Sequence, residues 1–112
     1  MTRGKVIEVD RPLSDRTGSK VRPAVAVQAD SLNSLIDDTI LVQIPSSRFG
    51  IPGTEVLDPA IETGVGLTEV CVATCINLLT VDRTQIVRTV GYLSDAALRQ
   101  IETCLKSTLE LP

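Results

Sequence analysis

Proline and glycine cut the apolar residues of this chain into short β-branched runs, and helical spacing occurs only once, near the C-terminal end. Residues 4–10 alternate, with Ile7 and Val9 on one face and Glu8 and Asp10 on the other, and Pro12 closes the run. Residues 21–28 set Val25 and Val27 against the smaller Ala24 and Ala26, which lets another backbone approach that side closely. Residues 39–44 are nearly continuous apolar sequence, as in a central strand, and stop at Pro45. Further strands are expected over residues 54–57, 70–79 and 84–90, with a turn at 81–83. Ser94 is a good helix cap, Asp95 suits the first turn, and Leu98, Ile101, Leu105 and Leu109 form one apolar stripe. Glu102 and Lys106 are spaced for a helical ion pair on the opposite face. The pattern predicts a mainly β fold, a small bent antiparallel sheet or half-open barrel with a C-terminal α-helix packed on it. One domain over residues 1–112 is expected.

Composition then removes whole classes of function. Aromatics make up 2% of the chain, Phe49 and Tyr92 alone, so no row of stacking rings for nucleic acid can be built. Histidine is absent, which excludes imidazole triads and histidine metal sites. Cys71, Cys75 and Cys104 fall among apolar residues and are read as reduced core thiols; strand alternation puts Cys71 and Cys75 on one face. Neither a metal nor any other cofactor is expected. No stretch is long and apolar enough for a membrane span and the first residues lack a signal pattern, so a cytoplasmic location is expected. Net charge is -3, yet residues 1–25 hold six cations and three acids. A basic patch on an acidic body suits a short anionic ligand better than a long duplex.

That patch centres on Lys20-Val21-Arg22-Pro23. Pro23 fixes its own φ and drives Arg22 out of the helical region, so the arginine stands where a loop enters a strand. A planar guanidinium held there can grip a phosphate with two parallel hydrogen bonds; an ordinary surface ion pair is the plain alternative. The loop before it, residues 13–19, is polar and carries Arg16 and Ser19. Ser46, Ser47 and Arg48 follow the central strand, either as an anion site or as a serine-rich turn. Asn77 has a donor and an acceptor that suit a base edge or a backbone group. Residues 30–38 are turn-rich, with room for one helical turn.

Taken in order, these segments resemble the MazF/PemK ribonuclease toxins of bacterial type II toxin–antitoxin systems over nearly the whole chain. The resemblance rests on Arg3-Gly4-Lys5-Val6-Ile7, Arg22-Pro23-Ala24, Asp30-Ser31-Leu32-Asn33, Ile44-Pro45-Ser46, Gly66-Leu67, Cys75 to Asp82, and Gly91-Tyr92-Leu93-Ser94. It implies a homodimer of small SH3-like barrels acting as a metal-independent endoribonuclease on single-stranded RNA, with a cognate antitoxin that blocks the RNA groove. Carried over by position, it makes Arg22 and Ser46 catalytic and puts Arg16, Ser19, Lys20, Ser47, Arg48 and Asn77 against the RNA. The chain departs from the family twice. Thr17-Gly18-Ser19-Lys20 replaces a Glu-Gln pair, and Ile76 stands where many members carry an acid. A binding module that holds antitoxin or RNA without cutting is the competing expectation. The absence of tryptophan separates the chain from the related gyrase poisons of the CcdB type.

Overall fold

A computed structural model describes residues 1–12, 19–44 and 53–112, with the backbone alone considered at residues 11, 12, 19 and 20. Six strands form one antiparallel sheet: β1 (Lys5–Pro12), β2 (Ser19–Ala26), β3 (Asp38–Gln43), β4 (Thr54–Leu57), β5 (Cys71–Asp82) and β6 (Ile86–Tyr92). Their order across the sheet is β4-β5-β3-β2-β1-β6. A one-turn helix, α1 (Asp30–Asn33), precedes β3, and α2 (Asp95–Leu109) ends the fold. The fold class expected from the run pattern therefore stands. The strand ends moved: β5 continues to Asp82, and the turn lies at Arg83–Gln85 as a single 3-10 turn. Asp82 starts that turn because its carboxylate accepts from the Thr84 N–H at 2.9 Å, while Gln85 Oε1 accepts from the Asp82 N–H at 2.9 Å.

The sheet buries both faces. On one, Val6, Val25, Val42, Ile44, Leu57, Val65, Ala73 and Cys75 pack under Ile101 of α2. On the other, Ile7, Val9, Ala24, Ala26, Leu41 and Val81 form a second cluster closed by Met1, Leu79 and Ile86. Alternation along β1 and β2 assigns residues to each cluster, as the valine and alanine pattern of residues 24–27 predicts. With so few aromatics, two thin aliphatic layers do what one thick core does elsewhere.

Ser94 caps α2, its Oγ accepting from the Ala97 N–H at 3.1 Å, and Glu110 ends the helix in the left-handed region (φ 54°). Glu102 does not pair with Lys106 as the spacing suggested; it meets Arg3 at 3.5 Å. Arg3 also donates from Nε to the Val27 carbonyl at 3.1 Å, so one residue ties the N-terminal segment to β2 and α2.

The Asp30-Ser31-Leu32-Asn33 segment is a structural knot. Buried Asn33 accepts from Gln28 Nε2 (3.0 Å) and Thr39 Oγ1 (2.9 Å) and donates to the Gln28 carbonyl (3.0 Å) and to Asp30 Oδ1 (3.2 Å). All four hydrogen-bonding positions of its amide are used. Asp30 also accepts from the Arg3 backbone N–H at 2.7 Å, chiefly for which its carboxyl is held below the ordinary carboxylate range.

Candidate active site

Arg22 lies in β2 directly across from Val9 of β1, on the face of the second cluster with Ala24 and Ala26. It is half-buried. It stands at the rim of that apolar layer, beyond Ala24. No carboxylate among the described residues is paired with it; the ion pairs found there are Arg3–Glu102, Arg83–Asp37 and Arg88–Glu8. Among the described residues the plain surface-ion-pair reading finds no partner.

Lys20 and Ser19 continue β2 beyond Arg22, opposite Arg11 and Pro12 of β1. Arg16, Ser46, Ser47 and Arg48 lie outside the described residues. The described part of the β2–β3 ladder ends where Ala24 pairs with Gln43 and the Ile44 N–H donates to the Pro23 carbonyl at 3.2 Å.

Asn77 falls at a corner of β5. Val42 pairs with Leu78, but the next residue of β3, Gln43, pairs with Thr74. Three residues, Cys75, Ile76 and Asn77, therefore have no counterpart on β3. The corner switches faces: Thr74 before it and Leu79 after it both share the face that holds Arg22. Half-buried Asn77 sits within this switch. Ile76 is 46% exposed, and its Cγ2 would lie 2.9 Å from a Cβ on Gly53, with Thr108 of α2 at 3.4 Å from the same point. It thus wedges between the start of β4 and the last turn of α2.

Sequence reading missed two features here. The first is the row Thr54–Thr74–Gln43–Ala24–Ile7, which crosses five strands on the Arg22 face in direct register. Its signal was Gln43, the one amide in an otherwise apolar run, and Thr74 between Ala73 and Cys75. The second is a cleft of about 180 Å³ lined by Glu8, Pro23, Gly66, Leu67, Thr68, Arg88 and Val90. Glu8 and Pro23 are cross-strand partners on the face away from Arg22, and Glu8 is paired with Arg88, so this cleft is separate from the arginine site.

Both Cys71 and Cys75 face the core under α2, as alternation predicts. Burial, and then a hydrogen bond with Cys104, pushes the Cys75 thiol up to about 12, so it is neutral and inert at ordinary pH. Among the described residues no three Cys, Asp or Glu side chains gather as a metal ion would need.

The chain is similar to solved structures along nearly its full length. An endoribonuclease in complex with its cognate antitoxin, from a mycobacterial species, matches with a TM-score of 0.78 at 23% identity, covering 100% of this chain and 97% of that one. The Mycobacterium tuberculosis toxin MazF-mt6 matches with a TM-score of 0.78 at 18% identity, covering 96% and 98%. A MazE–MazF structure from Deinococcus radiodurans matches with a TM-score of 0.80 at 16% identity, covering 100% and 98%. At these identities the likeness establishes the shared fold. β2 begins at Ser19, so Arg22 stands inside the strand and not at its entry as Arg-Pro suggested. The family model of PemK-like, MazF-like toxins of type II toxin–antitoxin systems matches residues 2–109, and this chain belongs to that family.

Proposed function

We propose that the protein is the toxin of a toxin–antitoxin pair, an endoribonuclease that cuts single-stranded RNA in the cytoplasm without a metal ion. The observation that carries this reading is Arg22, half-buried at a strand position and without a carboxylate partner among the described residues. In the reaction the RNA supplies its own nucleophile. The ribose 2′-oxygen bonds to the adjacent phosphorus as its proton leaves, the P–O5′ bond breaks, and the 5′-oxygen takes up a proton. A cyclic phosphate remains on the upstream fragment. Negative charge grows on the phosphoryl oxygens, where a fixed guanidinium stabilises the transition state more than the ground state. The Ser46 hydroxyl is assigned to the same phosphate. Arg16, Ser19, Lys20, Ser47, Arg48 and Asn77 are assigned to the neighbouring nucleotides.

Two protein partners follow from the family reading: a second copy of the chain and a cognate antitoxin. Leu32, Leu35 and Ile36 near α1, and Ile40 and Leu78 on paired strands, are exposed apolar side chains that such contacts would cover.

The test is incubation of purified protein with mixed-sequence single-stranded RNA in the presence of a chelator. Discrete fragments ending in cyclic phosphate are expected, and Arg22→Ala should abolish them while leaving the melting temperature near that of the parent. Arg22→Lys keeps the charge but not the two-pronged geometry and should recover little activity. Intact RNA with the parent protein, or equal cleavage by Arg22→Ala, refutes the mechanism. Ile76 favours one second reading, a module that binds RNA or antitoxin without cutting. Binding without cleavage, and expression without growth arrest, would select it.

A further inference from the structure

Only two side chains of α2, Ala97 and Ile101, are buried, so the helix is held to the sheet by a thin apolar contact. A helix attached in this way opens locally at less cost than the strands beneath it. Beside Ile101 that contact holds sulfur from both sides. Cys75 of β5 is wholly buried, and its Sγ lies 4.0 Å from the Ile101 carbonyl oxygen. Cys104 stands about one helical turn further along α2 and packs against the same cluster. The two thiols share a hydrogen bond, which puts them within a short side-chain movement of a disulfide. Cys71 is turned elsewhere, its thiol donating to the Glu69 carbonyl at 3.4 Å. Exposure separates the roles within the pair: Cys104 is half-buried, whereas Cys75 is closed to solvent.

We propose that Cys104 and Cys75 form a reversible, peroxide-driven clip that joins α2 to the β5 corner. A hydroperoxide gives one oxygen to the Cys104 sulfur, which becomes a sulfenic acid, and hydrogen peroxide leaves as water. The Cys75 sulfur then bonds to the Cys104 sulfur as the S–O bond breaks, and the hydroxyl leaves with the Cys75 proton as a second water. Two electrons pass from the thiols to the peroxide, and a dithiol reductant returns them by exchange. Burial keeps the Cys75 thiol neutral, so the oxidant meets Cys104 first. Contact between the two sulfurs then supplies the proximity that a neutral thiol needs. The bond closes the chain between residues 75 and 104 and suppresses undocking of the helix. It does not depend on whether the protein cuts RNA.

The test treats the purified parent, Cys71→Ser and Cys104→Ser with hydrogen peroxide and reads intact mass, non-reducing gels and melting temperature, before and after dithiothreitol. The parent and Cys71→Ser should each lose the mass of two hydrogens, run as single chains and melt about 10 °C higher. Dithiothreitol should reverse both changes. Cys104→Ser should fold, yet show neither the mass loss nor the rise. Four results overturn the inference: oxygen added to the protein with no loss of hydrogen, a disulfide between two chains, a bond that requires Cys71 or survives in Cys104→Ser, or a mass loss with an unchanged melting temperature.

Discussion

Gly91→Ala is the substitution for which the structure gives the sharpest expectation. The segment at Gly64–Gly66 lies flat against β6, and the Tyr92 N–H donates to the Gly64 carbonyl at 2.8 Å. A Cβ on Gly91 would lie 2.3 Å from both the carbonyl carbon and oxygen of Val65 and 2.4 Å from the Gly64 oxygen. Those atoms are backbone and cannot rotate aside, so the two segments must separate. Overpacking of this kind costs about 1–3 kcal/mol. Losing the Tyr92–Gly64 hydrogen bond adds about 1 kcal/mol. A total of roughly 2–4 kcal/mol is a large share of the ~5–15 kcal/mol that stabilises a domain. For a chain of this size, at about 4 °C per kcal/mol, it lowers the melting temperature by ~8–16 °C. Gly66→Ala should be worse, because its Cβ would fall 1.8 Å from the Val90 oxygen and its φ of +76° is strained for any side chain. Gly64→Ala is the control: its Cβ meets only the Tyr92 oxygen, at 3.6 Å. Thermal melts and urea titrations of the three variants rank them. A Gly91→Ala protein that melts with the parent while Gly64→Ala falls would refute the close-approach argument.

Three further outcomes follow from the polar anchors and the core thiol. Asn33→Ala leaves buried groups of Gln28 and Thr39 without partners and should cost about 2–4 kcal/mol in urea titration, a large effect for a surface-adjacent turn. The Asp82 carboxyl is held below its ordinary value of 3.8, chiefly by the Thr84 N–H. Its stabilising contribution is therefore complete above that value and lost as pH falls through the depressed one, and Asp82→Asn should flatten the acid limb of a stability–pH curve. Cys75 behaves oppositely, since its thiol is raised from 9.0 to about 12: stability it confers is complete below pH 9 and lost between 9 and 12. Cys75→Ala should reduce that alkaline loss, and native protein at pH 8 should resist alkylation at Cys75 until it is unfolded.

The fold was legible because binary pattern and punctuation agreed. The strand at Thr54–Leu57 and the Ser94 cap emerged where the sequence put them, and the alternation in residues 24–27 assigned each side chain to its layer. Strand ends were less legible because pairing partners set them: Pro12 remains in β1 because Ser19 lies across from it. The Glu102–Lys106 pair failed for a tertiary reason, since Arg3 arrives from the other end of the chain and takes Glu102. For the site, the extended backbone at Arg22 could be read from Arg-Pro, but its place inside β2 could not, because pairing of residues 19–21 with β1 carries the strand past the proline. The Thr74–Gln43 row could not, because it depends on a three-residue offset between β3 and β5 that periodicity cannot reveal.

That offset also bears on Ile76. A residue at the centre of a corner is turned out of the regular ladder, and here it turns toward the last turn of α2 rather than toward Arg22. The C-terminal end of a helix carries partial negative charge, which disfavours a carboxylate and is indifferent to an aliphatic group. Isoleucine at this position packs part of its side chain at the junction of β4, β5 and α2 while staying 46% exposed. A carboxylate placed there would give up that contact and meet an unfavourable potential. On the Arg22 face the register sets the neutral polar residues Gln43, Thr74 and Thr54 in one row. Neutral donors and acceptors of this kind add no negative charge beside a polyanion, so under the proposed ribonuclease reading the burden of charge stabilisation falls on Arg22.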